Sequence, residues 1–344
     1  MEFMLNINLP KAEKLIHHQH HILSVGSCFT EHIGNALTNM KFQVLQNPNG
    51  ILFDPVSVCS SLVSYIRNKQ YSGEDLFYLN ELWQSWQHHS RFSGMDKDRV
   101  LEKINRSQNH AHHFLKEADW LIITLGSAFN YRLKDDESRS VGIPQISVLT
   151  NGGAVANCHR APSQFFQKNL LSITEIIENL DNTIHQLFHF NKKLNIIFTI
   201  SPVRHIRDGV VENNRSKARL IEAVHHMVNK FNRLYYFPSY ELVIDVLRDY
   251  RFYDIDMVHP NYPATEFVLQ KFQQTFMSEE TIALSEEVKK IVIACKHRSA
   301  NPATEGHKKF LRSYLEKVEN FKKLYPYMDF EKEIKYFSNV SDEG

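Results

Sequence analysis

The 344-residue chain predicts an α/β protein: a mostly parallel sheet with helices on both faces, followed by a C-terminal helical extension. Three observations carry this. The apolar runs HILSVG (21–26), WLIITL (120–125) and LNIIFTIS (194–201) read as strands, and the last two are too continuous to be half exposed. Segments with helical spacing separate them, the alternation that makes a parallel sheet. From about Ser278 onward the chain is charged and helical, with no further strand signal.

His21–Gly26 ends in a glycine and gives way to Thr30–Met40, where Ile33, Ala36, Leu37 and Met40 recur at helical spacing. Phe42–Leu45 is a second short strand, NPNG (47–50) a turn, and Pro55–Arg67 a helix opened by proline. Asp98–Glu117 is an amphipathic helix before the strand Trp120–Leu125, and Pro162–Leu187 reads as one long helix. After the strand at 194–201 come a helix over Asn214–Arg233, a strand near Leu234–Phe237, a helical stretch Tyr240–Leu247, a loop around Asp254–Pro263 and a helix from Ala264. This divides the chain into a domain over 1–277 and an extension over 278–344. In the extension Phe310, Leu311, Tyr314 and Leu315 form an apolar stripe, which either packs on its own chain or supplies a contact with a second copy.

Composition narrows the function. With 42% hydrophobic and 23% charged residues the chain can bury a core, so disorder is excluded over most of its length. Lys and Arg number 40 against 39 Asp and Glu, a net charge of +1, which argues against nucleic acid as the partner. No run approaches the roughly 20 apolar residues of a membrane span. Met1–Met4 carries an acid where a secretory leader would carry bases, so a cytoplasmic protein is expected. The four cysteines are widely spaced, the 19 histidines contain neither H-x-x-x-H nor H-E-x-x-H, and no glycine-rich phosphate loop occurs. No metal and no cofactor are expected.

Two segments could do chemistry. Gly26-Ser27-Cys28-Phe29-Thr30 stands where the first strand meets the first helix, so Ser27 or Cys28 is placed at a helix N-terminus, where a thiol is predisposed to ionise; alternatively Ser27 or Thr30 merely caps the helix. Asp256-Met257-Val258-His259 lies on a late loop, where an Asp three residues ahead can hold the imidazole tautomer while the other ring nitrogen faces a nucleophile. Three clusters suit the wall of the same cleft: WQSWQHHSRFS (83–93) with His88 and His89, Ala156–Arg160 with Asn157 and His159, and SPVRH (201–205), which would bring Arg204 and His205 out at a strand's C-terminal end. Each also has a structural reading, as core residues or as a salt bridge at Arg204.

Seven segments, GSCFTEHIG (26–34), NPNGILFDPVSV (47–58), WQSWQHHSRFS (83–93), ITLGSAFNYR (123–132), VANCHR (155–160), SPVRH (201–205) and YFPSYELVIDVLRDYRFYDIDMVHPN (236–261), resemble the GSCFA family in the expected order over residues 20 to 275. That family is similar to the SGNH, or GDSL-like, hydrolases. The resemblance implies a three-layer α/β/α sandwich and action on ester bonds of a small-molecule or carbohydrate substrate, by hydrolysis or acyl transfer. It makes Cys28 the nucleophile, because those enzymes place their Ser two residues after the strand-ending Gly, with Ser27 as the rival. It makes His259 the base and Asp256 its partner. Gly50 and the backbone N–H of Cys28 would bind the oxyanion, Gly126-Ser127-Ala128 would match the third block, and Ala128 stands where an oxyanion-binding Asn is expected. Asn157 and His88 are the possible substitutes. A non-catalytic carbohydrate- or ligand-binding protein on the same fold is the alternative that this missing Asn raises.

Overall fold

The computed structural model describes residues 5–134, 153–297 and 299–338. Met1–Met4, read above for a leader, and the last six residues of the C-terminal extension lie outside them. The elements run β1 (His21–Gly26), α1 (Cys28–Asn39), β2 (Gln43–Gln46), α2 (Pro55–Arg67), β3 (Phe77–Leu79), β4 (Leu82–Gln84), α3 (Lys97–Glu117), β5 (Trp120–Leu125), β6 (Phe129–Leu133), β7 (Ala154–Val155), β8 (Phe166–Leu170), α4 (Ile173–Phe190), β9 (Asn195–Ile200), α5 (Gly209–Lys230) and β10 (Leu234–Phe237). A short helix α6 (Ser239–Glu241) continues into a π-helical segment Leu242–Leu247, followed by α7 (Tyr262–Phe276), α8 (Glu279–Ala294), α9 (Glu305–Leu324) and α10 (Glu331–Ser338).

Five strands form the central sheet in the order β2-β1-β5-β9-β10, every neighbour parallel. The period-2 alternation of a strand sends successive side chains to opposite faces. Here Leu23, Val25, Leu121, Ile123, Ile196 and Phe198 enter one core with residues of α2, α3, α4 and α5, while Ile22, Trp120, Ile122 and Ile197 enter a second with α1 and α7. The three layers follow from that division. Burial of each such aliphatic side chain stabilises the fold by roughly 1.5–3 kcal/mol, so both faces are strongly specified.

The chain leaves β1 to build β2 on one side and returns to build β5 on the other. The connections after β1 and β5 therefore part at their C-terminal ends, the place where open α/β sheets leave a crevice. Gly26 closes β1 there, with φ +137 and so little room that a Cβ would stand 2.1 Å from the Thr124 carbonyl oxygen.

The single helix expected over 162–187 begins only at Ile173. Ser172 caps it, its hydroxyl accepting from Glu175 N–H at 3.2 Å while the Glu175 carboxylate accepts from Ser172 N–H at 2.8 Å. Before this capping box, Phe166–Leu170 pairs antiparallel with β6, which pairs with β7 on its other side, and β3 and β4 form a separate hairpin. The apolar stripe of α9 is covered within its own chain: Phe310, Leu311, Tyr314 and Leu315 pack with Val288, Ile291, Phe330 and Phe337 of the other C-terminal segments.

Candidate active site

Ser27 and Cys28 sit at the crevice between β1 and β5. Ser27 is the N-cap of α1, but its hydroxyl caps nothing. Ser27 N–H donates to the Thr124 carbonyl at 3.0 Å and its carbonyl accepts from Thr30 N–H at 2.9 Å, so the backbone turn is closed without the side chain. The Ser27 Oγ is buried and has no partner among the described residues. Its Cβ stands against Gly126, where an added Cβ would lie 3.3 Å away, beside the Phe53 ring.

Cys28 opens α1 and is half-buried. Its environment does not pre-ionise it. Burial pushes the thiol up as the largest effect, Phe29 N–H and its own N–H pull the other way, and Glu31 and Lys217 act in opposite senses through charge. Desolvation thus opposes the ionisation that the helix N-terminus favours. Cys28 and His32 are one turn apart on α1 and so share a face; the charges of His259 and Asp254 act on His32, which burial holds neutral. Cys28 and Val258 both flank the core of that side of the sheet. His32, one turn along from Cys28, is therefore within charge range of the loop that carries His259.

That loop is tightly built. Asp254 N–H donates to the His259 carbonyl at 2.8 Å, Met257 N–H to the Asp254 carbonyl at 2.9 Å, and Tyr253 bridges to Pro260. Asp256 Oδ1 accepts from the N–H groups of Val258 and His259 at 2.9 and 3.0 Å, leaving Oδ2 to meet His259 Nδ1 at 2.6 Å. These bonds, the His259 backbone N–H first and its ring second, hold the exposed Asp256 carboxyl down at about 2. Neither Ser27 nor Cys28 hydrogen-bonds the His259 ring.

Arg204 serves this loop. Its N–H reaches the Val258 carbonyl at 3.3 Å, its guanidinium donates to the Met257 carbonyl at 3.2 Å, and its plane lies 4.1 Å from the Tyr253 ring centre. His205, the next residue, donates its N–H to Asn213 Oδ1 at 2.9 Å and sets its ring edge-on to Phe53 at 5.5 Å. Burial, then the charge of Lys217, lowers its imidazole to about 4, and the charge of His259 acts on it too. His205 and His259 thus belong to one neighbourhood.

His89 lies near it, since the charge of Glu31 acts on both His89 and Cys28, but His88, His159 and Asn157 are held elsewhere. His88 is buried, with Nδ1 2.9 Å from Ser85 Oγ and its ring edge-on to Tyr71; desolvation lowers it to about 3. His159 Nε2 lies 2.8 Å from the Ser85 carbonyl oxygen, and Asn157 Oδ1 accepts from His159 N–H at 2.8 Å. His159 sets its ring edge-on to Trp86, whose indole stacks on Phe77 at 3.7 Å, while His88 packs against Tyr71 and Phe92, so the aromatic density that suggested a ligand wall divides between two satellite cores. The backbone donors are engaged as well. Gly50 N–H donates to the Asn47 carbonyl at 2.7 Å, and Gly126 and Ser127 N–H both donate to the Phe53 carbonyl, at 2.8 and 3.1 Å. Gly50 is instead required by its φ of +83 and by His89, whose Cβ a side chain there would meet at 2.1 Å.

Sequence reasoning missed Lys217. It is fully buried on α5, where Asn213, Lys217, Leu220, Val224 and Met227 follow helical core spacing. A lysine in that series was the available signal. Its ammonium donates to the carbonyls of Gly126 and Ser201, each at 2.6 Å, at the ends of β5 and β9. Asn130 is also buried, and among the described residues neither polar atom of its side chain has a partner. Among the described residues no group of three or more His, Cys, Asp or Glu is placed to hold a metal ion, and no helix is long and apolar enough to cross a membrane.

A family model described as the GSCFA family matches residues 21–272, and one described as the GSCFA domain protein, C-terminal domain, matches residues 288–340. No curated protein matches the chain.

Proposed function

The chain belongs to the GSCFA family, and from that premise we propose that it is an ester or thioester hydrolase or acyltransferase with Cys28 as nucleophile, His259 as base and Asp256 as the group that orients it. The observation that supports the reading is the Asp256–His259 contact of 2.6 Å, on a loop whose charges act on His32, one turn from Cys28 on α1. With Nδ1–H donating to the carboxylate, Nε2 is the acceptor that a nucleophile needs.

Because burial keeps the thiol protonated, attack requires general-base help. His259 Nε2 takes the Cys28 proton as Sγ bonds to the acyl carbon. The carbonyl oxygen becomes an oxyanion, for which the Cys28 N–H at the helix N-terminus is the proposed donor. The imidazolium then returns its proton to the leaving alkoxide or thiolate, leaving a thioester on Cys28. Water, deprotonated by the same imidazole, completes hydrolysis, and an alcohol completes transfer. The carbohydrate O-acyl group as substrate rests on fold-level likeness.

The occupied N–H groups of Gly50, Gly126 and Ser127, with Ala128 in place of an Asn, support the second reading, a ligand-binding protein on the same fold. A panel of aryl acetates and O-acetylated sugars separates the two. Turnover by wild type that falls on the order of 10³-fold in Cys28→Ala, and only a few-fold in Ser27→Ala, supports the enzyme; the reverse pattern makes Ser27 the nucleophile. Binding of the same sugars without turnover leaves the second reading in place.

A further inference from the structure

Lys217 is a feature of the site neighbourhood that apolar packing does not account for. Its amine is buried among the ends of β5 and β9 with 1% of the residue exposed. Two of its three hydrogens are satisfied by the Gly126 and Ser201 carbonyls. Among the described residues no carboxylate pairs with it. A buried ammonium without a counterion is strongly unfavourable; a Met of similar length would fill the same slot without that penalty, though it would take this donor from the Gly126 and Ser201 carbonyls. Beyond those two hydrogen bonds, the amine adds charge beside the site. Gly126, whose carbonyl it holds, packs on Ser27, and the residue after Ser27 is Cys28, whose charge acts on Lys217 and feels it in return.

We propose that Lys217 is a positioning residue, a buried countercharge that stabilises negative charge on Cys28 Sγ whenever its amine is protonated. This rests on the reading of Cys28 as nucleophile. As His259 takes the thiol proton, the electron pair left on sulfur is met by the Lys217 ammonium from within the fold, and by the Cys28 and Phe29 N–H groups at the helix end. The other charged or titratable groups near the pair are Glu31 and His32 on the helix of Cys28, His205 and the Tyr240 ring at Lys217, and, beyond His205, Asp208, Lys168 and His259. Burial lowers the amine to about 7. The countercharge is therefore present below about pH 7 and absent well above it.

The test measures Cys28 alkylation by iodoacetamide, resolved from Cys59, Cys158 and Cys295 by peptide mass spectrometry, on the full chain at pH 6 and pH 9. In Lys217→Met the Cys28 rate is expected to fall about tenfold at pH 6, equivalent to one unit of thiol acidity, and to match wild type at pH 9, where the native amine has lost its proton. In Lys217→Arg, permanently charged, the rate at pH 9 is expected to exceed wild type about tenfold. A Met variant slowed equally at both pH values, or unchanged at pH 6, overturns the proposal. If the Met variant does not fold, an Arg variant with the wild-type rate at pH 9 overturns it alone. Ester turnover reads the other hypothesis separately: Cys28-dependent turnover without this pH-selective effect removes the countercharge and keeps the enzyme, and the effect without turnover does the reverse.

Discussion

His259 Nδ1 lies 2.6 Å from Asp256 Oδ2, while Asp256 Oδ1 is occupied by two backbone N–H groups of its own loop. The carboxylate thus has two separable tasks, one per oxygen. Asp256→Asn keeps an acceptor for the Val258 and His259 N–H groups but places an amide NH₂ opposite the ring, so Nδ1 must accept and Nε2 carries the proton. Ester turnover is expected to fall on the order of 10³–10⁴-fold with an unchanged melting temperature. A turnover loss of less than tenfold in a folded variant would show that Asp256 does not set the tautomer.

Gly50→Ala separates a structural glycine from an oxyanion donor. The substitution leaves the backbone N–H in place, already donated to Asn47, but puts a methyl 2.1 Å from His89 Cβ at a φ of +83. It is expected to destabilise the protein by about 2–4 kcal/mol in urea denaturation. The folded fraction should keep wild-type kcat/KM. A stable variant with reduced kcat/KM would return Gly50 to the oxyanion site.

Much of this was legible in the sequence, and for a local reason. The central strands were visible because a sheet buried on both faces is written as unbroken apolar runs such as Trp120–Leu125. The placement of Ser27 and Cys28 followed from the strand-ending Gly26. Phe166–Leu170 was absorbed into a helix because a short strand beside a capping box has no period of its own, and only pairing with β6 reveals it. His88 and His159 looked like site residues because a buried, hydrogen-bonded imidazole and a ligand-facing one have the same local sequence. Lys217 was hidden for the opposite reason: the carbonyls of Gly126 and Ser201 that hold it are distant in the sequence, and only its place in the core series of α5 marked it.

Acid should destabilise the fold through its neutral histidines. His88, lowered to about 3, and His18, lowered to about 4, are kept neutral by burial, the largest effect at each. In the unfolded chain both protonate near pH 6.5, so that state binds more protons as pH falls through that value, and stability declines below it. Above about pH 6.5 these groups contribute no slope. At pH 5 each should cost about 2 kcal/mol relative to pH 7.5. Urea titrations at the two pH values check this, and His88→Gln, which retains a partner for Ser85, should lose less stability between them than wild type. An equal loss in both proteins would exclude His88 as a source.

The C-terminal helices are tied to the sheet domain by Lys41, just past α1, whose Nζ lies 2.7 Å from Glu333 Oε2 on α10. Both side chains are nearly buried, and the ammonium also stands 5.3 Å from the Phe330 ring centre. Removing one partner of such a pair strands the other charge away from water, a penalty of about 3–5 kcal/mol, whereas replacing both with apolar groups of similar size is close to neutral. Glu333→Ala should therefore loosen α10, seen as faster hydrogen exchange over 305–338 with the amides of β1 and β5 still protected. The double variant Lys41→Met/Glu333→Leu should restore protection. If Glu333→Ala left exchange in α9 and α10 unchanged, the ion pair would be a surface ornament, and the docking would rest on the apolar contacts of Phe330 and Phe337 alone.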